Sequence, residues 1–281
     1  MTTPETAVIT PGDSPRETSR ARPLGAGQWS RLRWRVGVLV EAVLLLGVWQ
    51  LLAALEVLPP AYLPSPTDVW QALVELWTAG TLPEHTLFTL QNFLLGFLLA
   101  VVVAIPVGIV MGSSDLAEML FAPPMWAVYA VPRIALAPIF VIAFGLGGAS
   151  KIAVVFTMAT FPILINTMHG MKSVPTLLVQ VAKVYGGSRT EVVRKIVLPS
   201  LLPYIFVGLQ IAVAGAIAGA LVGEFIGSFK GLGLLLSNAA YNFDLARALA
   251  LVIIIVIIAQ ALMSTVQLAK KMIAPWDVSS R

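Results

Sequence analysis

The chain has 281 residues, 58% of them hydrophobic and 11% charged, with a mean hydropathy of +0.89; a soluble domain carries about 25% charged residues, so most of this chain is expected to sit in lipid. Its net charge of +4 does not point to nucleic acid, because most Lys and Arg residues fall between or outside the apolar runs, as the positive-inside rule expects. The absence of cysteine excludes disulfides, thiolate metal sites and cysteine nucleophiles, and His85 and His169 lie far apart and form no metal-ligand pattern.

Residues 1–35 are rich in Pro, Thr, Ser and Arg without apolar periodicity, which predicts a disordered cytoplasmic tail ending in the basic cluster Arg31, Arg33, Arg35. No small-residue cleavage site follows the next apolar run, so this is not a signal peptide. Residues 36–55 are near the roughly 20 residues a first span requires, with Glu41 in its cytoplasmic third, snorkelling or paired with an arginine. Residues 57–84 carry Asp68, Glu75 and Glu84 but no Lys or Arg, an outside segment by charge. Ser65-Pro66 and the amphipathic run through Trp77 predict a surface helix there, so residues 36–84 hold the first transmembrane helix and an outer amphipathic segment.

A second span is expected over residues 86–111, closed by the turn Gly112-Ser113-Ser114-Asp115. The third, residues 116–143, holds Pro123, Pro124, Pro132 and Pro138 with Arg133 inside the apolar run. Such prolines kink or break a helix, which membranes tolerate where the freed backbone faces protein or a water-filled cavity. The fourth span covers residues 150–170, the fifth residues 199–225 and the sixth residues 246–268. The fifth is rich in Ala and Gly, which favour close helix packing; residues 226–244 read as an outer glycine-bearing loop, and Lys270 and Lys271 mark the inside again. Trp49 and Tyr241 read as interfacial belt residues. The expected fold is an all-α membrane protein of six transmembrane helices with both termini cytoplasmic.

Between the fourth and fifth spans lies the one long polar interruption of the second half. Pro175 falls in the first turn of a helix running through Tyr185, and Gly186-Gly187 break it, since glycine tolerates the positive φ of a sharp turn. Ser188 with Glu191 three residues on is a capping box that starts a second helix, ending before Pro199. Two short helices hinged on glycine predict a rigid protrusion. A loop that served only to carry positive charge would need neither hinge nor cap.

This spacing resembles the cytoplasmic loop of importer permeases of the ATP-binding-cassette superfamily: Glu-Ala-Ala, three residues, Gly, nine residues, Ile, one residue, Leu-Pro. Gln180, Val181 and Ala182 stand for the triplet, Gly186 for the glycine, and Ile196, Leu198 and Pro199 for the ending; the triplet keeps only its last alanine. Leu63-Pro64-Ser65-Pro66, the stretch from Pro132 to Pro138, Phe144-Gly145, the stretch from Pro162 to Thr167 and Gly223-Glu224-Phe225-Ile226-Gly227 resemble one branch, the nitrate, sulfonate, taurine and bicarbonate type. That branch also includes importers of aromatic acids and of thiamine or riboflavin precursors.

The resemblance implies a type I importer permease (MetI-like) architecture in the bacterial inner membrane. It places the permease domain at residues 85–272, its coupling loop at 173–199 and a cytoplasmic tail at 273–281. It implies a second copy of the chain, a cytosolic ATPase dimer and an extracytoplasmic solute-binding protein as partners, and a small anionic solute as cargo. Gln180, Ala182, Gly186, Gly187, Ser188, Glu191, Ile196, Leu198 and Pro199 would couple to the ATPase. The run from Gly145 to Lys151 lacks the Gly-Lys-Ser/Thr ending of a phosphate loop, so no cofactor is expected on this chain, and ATP and Mg belong to the partner. Arg133, Asn166 and Glu224 are the candidate pathway or gate residues, ionisable groups at membrane depth being functional by default. Structural duty is the alternative for each: a mutual or intersubunit salt bridge for Arg133 and Glu224, and an interhelical hydrogen bond for Asn166. From another class, a self-sufficient secondary transporter would fit the spans, but no internal repeat is visible and the capped loop would have no purpose.

Overall fold

The computed structural model describes residues 26–56, 59 and 62–277, so the tail before residue 26 and residues 278–281 lie outside the described residues. The chain divides into two units, one ending at Leu51 and one beginning at Leu52. The first holds most of helix α1 (Ala26–Ala54). That helix begins inside the stretch expected to be disordered. Residues 26–35 contain three arginines among Leu and Trp and no proline, so helix starts before the residues expected to form the first span.

In the second unit α2 (Pro66–Thr78) starts as expected: Ser65 Oγ accepts the Asp68 N–H at 3.2 Å and the Asp68 carboxylate accepts the Ser65 N–H at 2.8 Å. The packed centre is made by α3 (Thr81–Ser113), α6 (Gly148–Lys172) and α9 (Leu198–Ile226). A methyl group at Gly96 would stand 2.7 Å from the Ile152 carbonyl, and one at Gly108 would stand 2.8 Å from that of Leu164. Neighbours climb together along both helices, so α3 and α6 run parallel. Gly208 instead faces Pro162 and Asn166 while Gly223 faces Lys151; the order reverses, and α9 is antiparallel to both. Ala100, Ala104, Ala159, Ala212 and Ala216 fill these crossings, small side chains that let backbones approach.

Two parallel helices need a return path between them. It is supplied by α4 (Asp115–Ala130), a 3-10 turn (Arg133–Leu136) and α5 (Ala137–Phe144), with an 81° bend at the break. Val131 is extended there, as the residue before a proline prefers. The third expected span is therefore two pieces. Among the described residues, four helices are long and apolar enough to cross a bilayer, and the bent pair makes a fifth if taken as one span; of α1, the expected first span, only the shorter apolar stretch Val43–Ala54 is found. The turn expected at 112–115 shrinks to Ser114, which caps α4 by accepting the Ala117 N–H.

The outer loop expected at 226–244 contains helix α10 (Leu232–Tyr241), which corrects that reading. Leu232, Leu235 and Leu236 give it an apolar face, buried with Leu76 of α2, Leu82 of α3 and Leu251 of α11 (Leu245–Ile273). One end of the second unit thus gathers α2, α10 and the starts of α3, α6 and α11. The other end carries the hinged loop.

Candidate functional site

The hinged loop is built from caps. Helix α7 (Thr176–Val184) follows Pro175 and ends where Gly186 takes φ +78°. The Gly187 N–H bonds the Ala182 carbonyl at 2.8 Å and the Gly186 N–H bonds that of Lys183 at 3.0 Å, the crossed pair of a Schellman ending. Gly187 is needed for another reason: a Cβ there would lie 2.7 Å from the Ala182 carbonyl. Ser188 then caps α8 (Arg189–Val192), its Oγ accepting the Glu191 N–H at 3.3 Å while the Glu191 carboxylate accepts the Ser188 N–H at 3.1 Å.

Past α8 the helix widens into a π turn, Val193–Val197, in which the Leu198 N–H reaches back to the Val193 carbonyl. Pro199 accounts for it. Proline offers no N–H to the Lys195 carbonyl four residues before, and its ring crowds that carbonyl. From Arg189 to Ile226 the helix covers 38 residues, about 57 Å at 1.5 Å per residue, against a hydrocarbon core of about 30 Å. The excess belongs to the end that carries Arg189, Glu191, Arg194 and Lys195, so α8 stands outside the membrane-spanning part. There the Ser188 backbone N–H, then the Lys195 ammonium 3.1 Å away, hold the Glu191 carboxyl down at about 2.

Helix α7 buries no residue. Leu177, Val181, Val184 and Tyr185 follow one helical stripe and face out, Val184 and Tyr185 at 85% and 87% exposure. An exposed apolar stripe on a capped element marks a surface for a partner. Sequence reading selects the polar and glycine positions beside it, Gln180, Ala182, Gly186 and Gly187, and misses the stripe itself. Its 3.6-residue period was the available signal.

The three candidate pathway residues do not come together. Arg133 sits on the 3-10 turn, its guanidinium carbon 4.8 Å from the Tyr129 ring centre and 5.7 Å from that of Phe161. Its Nη1 is buried without a hydrogen-bond partner. Phe161 is midway along α6, so the break holds this cation at mid-depth. Glu224 is fully buried at the α10 end, where Thr89 Oγ1 and the Gly233 N–H each donate to it at 2.8 Å. No ion pair joins Arg133 to Glu224 within the chain among the described residues. Asn166 donates to the Pro162 carbonyl of its own helix at 2.8 Å, not across helices.

Glu224 belongs to a latch that sequence reading misses. Thr89 Oγ1 also accepts the Leu232 N–H at 2.9 Å, and His85 Nδ1 accepts the Gly231 N–H at 3.0 Å. Gly231, at φ +121°, lies so close that a Cβ would collide with the Glu224 carboxyl. Lys151, fully buried, donates to the carbonyls of Leu146 and Gly227 and ties the turn before α6 to the end of α9.

A family model described as a binding-protein-dependent transport system inner membrane component matches residues 104–276. The chain is 34% identical over 268 residues to a riboflavin transport system permease of Chloroflexus aurantiacus, covering 94% of this chain and 97% of that protein. It is 30% identical over 258 residues to a taurine transport system permease of Escherichia coli, covering 88% and 94%. A nitrate import permease of Leptolyngbya laminosa is 31% identical over 204 residues, covering 70% and 73%.

Proposed function

Because the chain belongs to the binding-protein-dependent transport system inner membrane components, we propose that it passes a small solute with an anionic group along a path at Arg133, driven through its hinged loop. The chain is a permease subunit of an ATP-driven importer and a multi-pass inner-membrane protein. In this reading two copies pair with two cytosolic ATPases, which bind ATP and Mg, and an extracytoplasmic binding protein delivers the solute. Six spans, counting α1 first and the broken α4–α5 pair third, put both termini and the loop on the ATPase side. Lys172, Lys183, Arg189, Arg194, Lys195 and Lys270 lie at that end, the side the positive-inside rule makes cytosolic.

The observation that carries the coupling role is the outward stripe of Leu177, Val181, Val184 and Tyr185 on a doubly capped hinge. Rigid caps let the surface transmit a push that a floppy loop would absorb. For the solute, the support is the Arg133 Nη1 left without an acceptor. Leaving a buried charged donor unsatisfied is costly, so an anion that supplies the missing acceptor is favoured there. Purification in mild detergent tests the assembly: an ATPase at equal stoichiometry supports it, and its reproducible absence overturns it. Thermal shift of the binding protein against nitrate, taurine and other sulfonates, aromatic acids and riboflavin tests the cargo. Carriage of an uncharged vitamin or its precursor is the second reading, favoured by the 34% identity to a riboflavin permease.

A further inference from the structure

A proline inside a helix strips one carbonyl of its partner, and α9 has such a gap in its first turns. Pro203 has no N–H, so the Pro199 carbonyl four residues before it lacks a helical donor. The other end of the chain fills the gap: the Trp276 indole N–H donates to the Pro199 carbonyl at 3.2 Å. Trp276 lies just past α11, where the chain folds back on itself. Ala274 is buried with its N–H on the Lys270 carbonyl at 2.8 Å, and the Asp277 carboxylate comes within 2.9 Å of Lys270 Nζ. The two side chains of this pair are only 10% and 13% exposed. Trp276 and Asp277 line a cleft of about 360 Å³ together with Leu178 of α7 and Lys195 of the π turn. Trp276 thus contacts the start of α9, and with Asp277 it faces both arms of the loop across this cleft.

We propose that residues 274–277 are a strap that fixes the hinged loop to α9 and α11, with Trp276 and Asp277 as positioning residues for coupling. The coupling part rests on the permease reading above; the strap itself does not. The π turn at Val193–Val197 is the compliant joint between loop and span, since its hydrogen-bond ladder is interrupted. A bare Pro199 carbonyl beside that joint would loosen it further. With the strap in place, displacement of α7 and α8 carries α9 and α11 together instead of being absorbed at the joint.

The test uses the full chain in lipid nanodiscs, alone and with its co-purifying ATPase. Trp276→Phe keeps the ring and removes the donor; Lys270→Asp, Asp277→Lys and their combination invert the ion pair. Amide exchange over residues 193–202 is expected to quicken about tenfold in Trp276→Phe, with membrane level and basal ATP hydrolysis unchanged. Stimulation of hydrolysis by the loaded binding protein should fall several-fold in each single variant and recover in the charge-inverted pair. Unchanged exchange overturns the strap. Faster exchange with unchanged stimulation overturns the positioning role, and the absence of an ATPase from the parent protein overturns the permease reading while the exchange result still decides the strap.

Discussion

At the scale of single residues, the loop shows two neighbouring glycines held for different reasons. Gly186 supplies a positive φ, and Gly187 supplies room beside the Ala182 carbonyl. Gly186→Val should therefore strain the backbone by about 1–3 kcal/mol. The chain should still reach the membrane, while ATPase assembly or stimulated hydrolysis falls, as co-purification and a phosphate-release assay will read. Glu191 adds a pH dependence. Its folded carboxyl is held at about 2, below the ordinary 4.5, so the α8 cap is fully formed above about 4.5 and is lost as pH falls from there toward 2. Amide exchange at residues 189–192 should quicken across that window, and Glu191→Gln should flatten the response. Arg133 makes a third case. Since no ion pair joins it to Glu224 within the chain among the described residues, Arg133→Gln should abolish uptake of an anionic solute, and adding Glu224→Gln should not restore it. Recovery in the double variant would reinstate a structural pair.

At the scale of elements, the broken return path is the feature with most consequence. Pro123 and Pro124 are carried inside α4, so the break falls at Pro132, which holds Val131 extended, and the parallel course of α3 and α6 requires the chain to cross back regardless. The result is an 81° bend that carries Arg133 onto the face of Phe161. Pro132→Ala removes the constraint on Val131 and returns the missing N–H. It should let helix propagate through the break, moving Arg133 and cutting uptake at normal membrane levels. Since the chain has no native cysteine, thiol labelling at Ile134→Cys with and without Pro132→Ala measures that shift; identical labelling would count against the proline as the cause.

At the scale of the whole molecule, the two ends of the second unit differ in kind. The α10 end is latched by buried Glu224, Thr89 and Lys151, while the loop end presents caps, a strap and an exposed apolar stripe. Alternating exposure of a path needs one end firmly closed while the other is pushed. Topology is tested by single cysteines: Tyr185→Cys and Lys271→Cys should be labelled from the ATPase side, and Phe229→Cys and Tyr241→Cys from the opposite side. All four sites are exposed. Labelling of all four from one side would refute the six-span arrangement.

Sequence alone determined what depends on local chemistry and on solvent. Apolar runs the length of a bilayer place the second, fourth, fifth and sixth expected spans, a Gly-Gly hinge followed by Ser and Glu three residues on specifies the loop, and prolines mark the third span as irregular, because capping, backbone φ and transfer into lipid are settled within a few turns. The tertiary structure alone decided which distant groups meet. Glu224 found Thr89 and Gly233 instead of Arg133, Lys151 became a buried tie, α10 formed because a leucine face found α2 and α11 to pack against, and Trp276 reached a carbonyl that Pro203 had left bare. Those pairings depend on the parallel course of α3 and α6 and on where each helix is crossed. Both are properties of packing between segments far apart in the chain, and no local pattern encodes them.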